Sequence, residues 1–192
     1  MWLPAIAMLL ASFPAYAEET QAVAGSTMTV NPADTTWLLV CTAMVLLMTP
    51  GLAFFYGGLV RKKNILSVLM QCFMAICIIS IQWVVVGYSL SFGPDVWGII
   101  GKPDWMFLKG VGMNPSEYAP TVQHRAFAIF QMMFAIITPG LIIGAFAERM
   151  KFSAFCLFSL LWATIVYDPV AHWVWGKGGF LGKLGALDFA GG

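Results

Sequence analysis

From about residue 35 onward this chain alternates long apolar runs with short polar punctuation. Charged residues are absent from 35–60, 64–94 and 126–147, and the window 152–176 carries only Asp168. Each window reaches the roughly 20 apolar residues that a bilayer crossing needs. The pattern predicts an all-α polytopic membrane protein with spans at about 36–60, 65–92, 126–147 and 152–175. Residues 18–35 are small and polar, with Pro32 and Asp34 placed to start a helix. They read as an extracytoplasmic tail. Ahead of them, an apolar run from Trp2 to Phe13 ends in Ala15-Tyr16-Ala17 before Glu18 and Glu19. That pattern predicts a signal peptide over 1–17, with an uncleaved anchor as the alternative.

Composition strengthens the membrane reading: 60% of residues are hydrophobic, 10% are charged and the mean hydropathy is +0.82. A net charge of +1 gives no basic footprint for nucleic acid. Arg61, Lys62, Lys63, Arg149 and Lys151 supply five of the ten cations, all in two short turns between spans. The positive-inside rule puts those turns in the cytoplasm, hence the N terminus outside an inner (cell) membrane. Trp83, Trp97, Trp105, Trp162, Trp173 and Trp175 fall towards span ends, as interfacial aromatics should. Cys41, Cys72, Cys77 and Cys156 lie within apolar windows without C-x-x-C spacing and read as small packers.

Several residues inside the spans could carry chemistry. Gly140 and Gly144 form a G-x-x-x-G that lets a neighbouring helix approach closely. Pro50 and Pro139 should kink their helices. Phe127, Phe130, Gln131 and Phe134 recur at helical spacing and share a face, which suits either core packing or an aromatic vestibule for a small cation. Trp175 suits cation attraction or interfacial anchoring equally. Asp188 suits helix capping or substrate attraction, and Asp168 suits capping of backbone freed by Pro169 in preference to the functional role that a carboxylate within a membrane span otherwise suggests. His124 and His172 are not brought together by spacing and read as satisfied boundary histidines. No catalytic set, metal cluster or phosphate-binding loop stands out, so neither an enzyme nor a cofactor is implied.

Four ordered segments then carry a resemblance. They are Met48-Thr-Pro-Gly-Leu-Ala-Phe-Phe-Tyr-Gly-Gly-Leu-Val-Arg-Lys-Lys-Asn64, Phe130-Gln-Met-Met-Phe134, Gly140-Leu-Ile-Ile-Gly-Ala-Phe-Ala-Glu-Arg149 and Ala171-His-Trp-Val-Trp-Gly176. With Asp188-Phe-Ala-Gly-Gly192, the sequence after about residue 34 resembles the ammonium transporter family. The resemblance implies an eleven-helix protomer of two inverted halves, of which 36–192 would supply the first four helices and the start of a fifth. It also implies a homotrimer, ammonium or ammonia as substrate, and possible regulation by a PII-type protein. By motif, Trp175 resembles the external recruiting tryptophan, Phe130 lies beside that site, Phe134 resembles a gate phenylalanine and Asp188 the acid near recruitment. The family's pore histidines belong to sequence after Gly192, so the 192-residue chain alone is expected neither to conduct nor to trimerise. An ammonium-sensing membrane domain and a four-helix membrane subunit are the alternatives.

Overall fold

The computed structural model describes residues 28–186 and 188. The expected signal peptide at 1–17 and most of the tail lie outside the described residues. Helix α1 (Pro32–Leu59) starts ahead of position 36 because Asn31 caps it. The Asn31 side chain accepts from the Ala33 N–H at 2.8 Å, and Pro32 loses no bond in the first turn, where its missing N–H would be unpaired anyway. The hydroxyls of Thr36 and Thr42 donate to carbonyls four residues back, so these polar groups enter the apolar helix already paired.

The second span runs as α2 (Ile65–Gln82), a π turn at Trp83–Gly87 and α3 (Tyr88–Phe92). Two small antiparallel ribbons follow: β1 (Asp95–Val96) with β2 (Ile100–Gly101), and β3 (Pro115–Ser116) with β4 (Ala119–Gln123). The third span is α4 (His124–Phe146), and Pro139 stays within it. The fourth repeats the plan of the second: α5 (Phe152–Trp162), a π turn at Ala163–Tyr167 and α6 (Asp168–Trp175), then a short α7 (Phe180–Lys183). Among the described residues, four helical segments are long and apolar enough to cross a membrane: Pro32–Leu59, Lys62–Phe92, His124–Phe146 and Phe152–Lys183.

Small residues set the packing. A Cβ at Gly140 would meet Leu52 at 3.3 Å, and one at Gly144 would meet the Tyr56 ring at 3.0 Å. Helix α1 therefore rides in the groove that the G-x-x-x-G opens on α4, and Tyr56 Oη donates to the Leu141 carbonyl at 2.9 Å. Two buried clusters result. One gathers Ala53, Val68, Cys72, Ile143 and Phe155 near the short turns. The other gathers Trp83, Tyr88, Phe92, Val111 and Ile136 towards the long loop. Trp83 belongs to the second cluster rather than to an interface. Its ring is 1% exposed and its Nε1 donates to the Ala128 carbonyl at 3.0 Å, because the π turn rotates it inward. Phe54, Leu59, Leu66, Ile81, Leu157 and Ile165 point outward, a surface that hydrocarbon or further apolar helices satisfy and water does not.

The two basic turns are tied together. Glu148 takes a left-handed φ of 66°, unfavourable for a residue with a side chain, and offsets it through partners. Its Oε1 accepts from the Arg61 N–H at 2.9 Å and from Asn64 Nδ2 at 2.8 Å, and its Oε2 lies 3.6 Å from Arg61 Nε. The Asn64 amide, then the Arg61 N–H, hold this carboxyl below its ordinary range.

Candidate functional site

The chemistry-bearing residues collect at the long-loop end of the bundle. There α6 ends in Trp173-Val174-Trp175, and the two tryptophans diverge as spacing of two requires. Trp173 Nε1 donates outward to the Ile99 carbonyl at 2.7 Å. Trp175 is half-buried, packs on the cluster that contains Trp83 and Ala128, and donates its Nε1 to Asp188 Oδ2 at 2.9 Å. The structure thus brings together two residues picked out separately by sequence. A carboxylate at the indole N–H enriches the ring in electrons and adds a negative charge beside it, both favourable to a nearby cation.

Phe130 and Phe134 form a second pair on α4, edge to face at 5.1 Å between ring centroids. Phe127, one turn earlier, instead stacks on Tyr118 of the loop at 5.9 Å, and Gln131 is half-buried. The aromatic face therefore divides between loop packing and a lower pair. Trp175 and Phe127 pack on the same buried cluster, which links the end of α6 to the first turns of α4.

Beside this region lies an open cavity of about 500 Å³, walled by Phe92, Trp105, Tyr118 and His124. Lys177 Nζ sits at its edge, 2.6 Å from Glu117 Oε2 and 5.9 Å from the centre of the Tyr118 ring. The Lys177 ammonium lowers the Glu117 carboxyl below its ordinary range, mainly by hydrogen bonding.

The two histidines have separate partners. His124 is hydrogen-bonded to Tyr88 Oη at 2.6 Å. His172 is fully buried, with Nδ1 3.0 Å from the Ser91 carbonyl and Nε2 3.0 Å from Asp95 Oδ1. Asp168 departs from the capping role expected beside Pro169. It is fully buried and accepts from Gln82 Nε2 at 2.6 Å and Ser91 Oγ at 3.4 Å, so it joins span four to span two side chain to side chain. The π turns explain the meeting, one directly following Gln82 and the other directly preceding Asp168. Gly87 leaves room for this arrangement, since a Cβ there would lie 2.7 Å from Gln82 Oε1 and 3.0 Å from the Trp83 ring. Sequence reasoning missed Gln82, Ser91, Asp95 and Glu117. Their partners lie 60 to 86 residues away, and no local spacing marks such pairs.

The fold is that of a polytopic α-helical membrane protein, with aromatic and acidic side chains gathered at one end of its bundle. Residues 36–192 match the profile of the Ammonium Transporter Family. The chain belongs to that family. It is 58% identical over 159 residues to the ammonium transporter of Bacillus subtilis (strain 168), covering 83% of this chain and 39% of that protein. It is 45% identical over 190 residues to the ammonium transporter of Aquifex aeolicus (strain VF5), covering 97% and 43%. The crystal structure of Candida albicans Mep2 superposes with a TM-score of 0.78 at 39% identity, covering 84% of this chain and 35% of that one. A structure titled Sensor Amt Protein gives 0.74 at 29% identity, covering 82% and 39%. The chain thus spans about two-fifths of the length of the curated relatives it matches.

Proposed function

We propose that this chain forms the external capture site and the first part of the conduction path of an ammonium transporter. The observation that carries the reading is the hydrogen bond from Trp175 Nε1 to Asp188, which pins an electron-rich indole beside a carboxylate where the helical bundle meets its outer loop. In this reading ammonium is drawn to the Trp175 face and the Asp188 charge, with Phe130 beside it. The Phe130–Phe134 pair then narrows the way into an apolar path. Ammonium is costly to move through such a path and ammonia is small and neutral, so the narrowing favours loss of a proton before entry. The process moves a solute and makes or breaks no covalent bond other than that to a proton.

The family and the charge pattern support the setting we propose. The protein sits in the cell membrane with its N terminus outside and the Arg61–Asn64 and Glu148–Lys151 turns in the cytoplasm, where a PII-type regulator would reach them. The complete protein is a homotrimer with one path per protomer. An ammonium-sensing domain is the second reading, and the likeness to the Sensor Amt Protein supports it. Saturable uptake favours transport; binding without uptake favours sensing.

The test is Trp175→Leu in a complete transporter carrying these residues. A cation–π contact contributes roughly 0.5–2 kcal/mol, so the half-saturating ammonium concentration should rise about 2- to 30-fold while membrane insertion is kept. Uptake unchanged at low ammonium would remove Trp175 from the capture site.

A further inference from the structure

We propose that the buried ring of His172 and the partly exposed carboxylate of Asp95 form an imidazolium–carboxylate pair that positions the segment from Trp175 to Lys183. The protonation follows from the partners. The Ser91 carbonyl can only accept, so Nδ1 carries a proton and donates to it at 3.0 Å. Asp95 Oδ1 faces Nε2 at 3.0 Å, and the same oxygen already accepts from the Gly98 N–H at 2.8 Å. An acceptor at each ring nitrogen calls for a proton on each. The contact with His172 also draws the Asp95 carboxyl below its ordinary range, consistent with a carboxylate.

Lys183 of α7 lies 3.7 Å from Asp95 Oδ2. From span two, the Ser91 hydroxyl, whose own carbonyl binds His172, leads to Asp168, one turn before His172 on α6.

The positioning role rests on the glycines that follow Trp175. A Cβ on Gly176 would collide with His172 Nδ1, and one on Gly178 would lie 2.6 Å from Asp95 Cβ. Gly179 is closed in the same way by the His172 carbonyl. The chain leaving Trp175 is thus moulded over the ion pair. The Phe180 N–H then bonds the Gly98 carbonyl at 3.1 Å, fixing α7 to the same ribbon. Asp188, beyond α7, accepts from the indole N–H at 2.9 Å.

The chain's two histidines make the test direct. With ¹⁵N-labelled histidine in the chain in lipid nanodiscs, ring-nitrogen shifts should show one doubly protonated imidazole at neutral pH, assigned by its loss in His172→Gln. Asp95→Asn should abolish that signature and Asp95→Glu should restore it. A singly protonated His172 in the unaltered chain overturns the ion pair.

The effect on capture rests on the function proposed above. It is read in a transporter completed with the remaining helices of the Bacillus subtilis relative. Asp95→Asn should raise KM for methylammonium about 3-fold or more with little change in maximal rate, the mark of weakened capture. Asp95→Glu should recover most of it. An unchanged KM overturns the positioning role, whereas absence of uptake from the unaltered chimera bears on the transport reading and leaves the histidine spectrum to decide the pair.

Discussion

Asp168 offers a test in which the structure sets the size of the effect. Replacing it with Leu deletes the acceptor for Gln82 Nε2 at 2.6 Å and leaves that donor only Thr164 Oγ1 at 3.2 Å. The Ser91 contact, at 3.4 Å, is too long to contribute much, so nearly all the loss falls on one bond. In water-soluble cores an orphaned buried donor costs about 1–3 kcal/mol. Interhelical bonds in membrane spans average nearer 0.6, with a maximum around 1.7. A short bond to a fully buried carboxyl belongs near the top of the membrane range, about 1.5 kcal/mol. Gln82→Leu leaves the fully buried Asp168 carboxyl with only the long Ser91 contact, partly offset by removing Gln82 Oε1, a buried acceptor without a partner, so its cost should be similar in size. The double Leu variant should then be more stable than the sum of the singles predicts, by about 1 kcal/mol. Unfolding in mixed SDS micelles, followed by tryptophan fluorescence, measures all four corners of the cycle. Costs that add to within about 0.3–0.5 kcal/mol would refute the pairing.

Other expectations follow from packing and charge. Gly144→Ala presses a methyl against a Tyr56 ring that its bond to Leu141 holds in place, and should destabilise the α1–α4 contact by about 1–2 kcal/mol. Gly58→Ala meets nothing within 4 Å and should be neutral or stabilise by about 0.5 kcal/mol through helix propensity, as the same unfolding assay would report. The Glu148 clamp has the sign of a depressed carboxyl: its contribution is complete above the ordinary 4.5 and is lost as pH falls through the lowered value. Hydrogen exchange at the Arg61 amide should therefore stay protected at neutral and mildly acidic pH and lose protection only in stronger acid. Loss of protection above 4.5 would contradict the assignment.

Periodicity and charge spacing made the helices legible because a bilayer imposes length and polarity on every crossing. The G-x-x-x-G worked for the same local reason, since small residues one turn apart make a groove whatever fills it. The second and fourth spans were harder. Nothing in Trp83-Val-Val-Val-Gly87 or Ala163-Thr-Ile-Val-Tyr167 announces a π turn, yet these two turns swing Trp83 into the core and set Gln82 opposite Asp168. The ribbons between 95 and 123 escaped notice because three of their strands have only two residues and the fourth, Ala119–Gln123, is half-buried at every position, so no period shows. Trp175 and Asp188 were recognisable one by one, through residue type and motif. Their bond, like that of His172 to Asp95, depends on a loop path that only the folded chain supplies.

The central claim is that these residues belong to a path that carries ammonium. It is tested most directly by grafting residues 36–186 in place of the matching portion of the Bacillus subtilis transporter, in cells lacking ammonium uptake of their own. The expected result is saturable methylammonium uptake, competed by ammonium and weakened by Trp175→Leu. A chimera that inserts and folds yet moves no substrate, or one indifferent to Trp175, would contradict it.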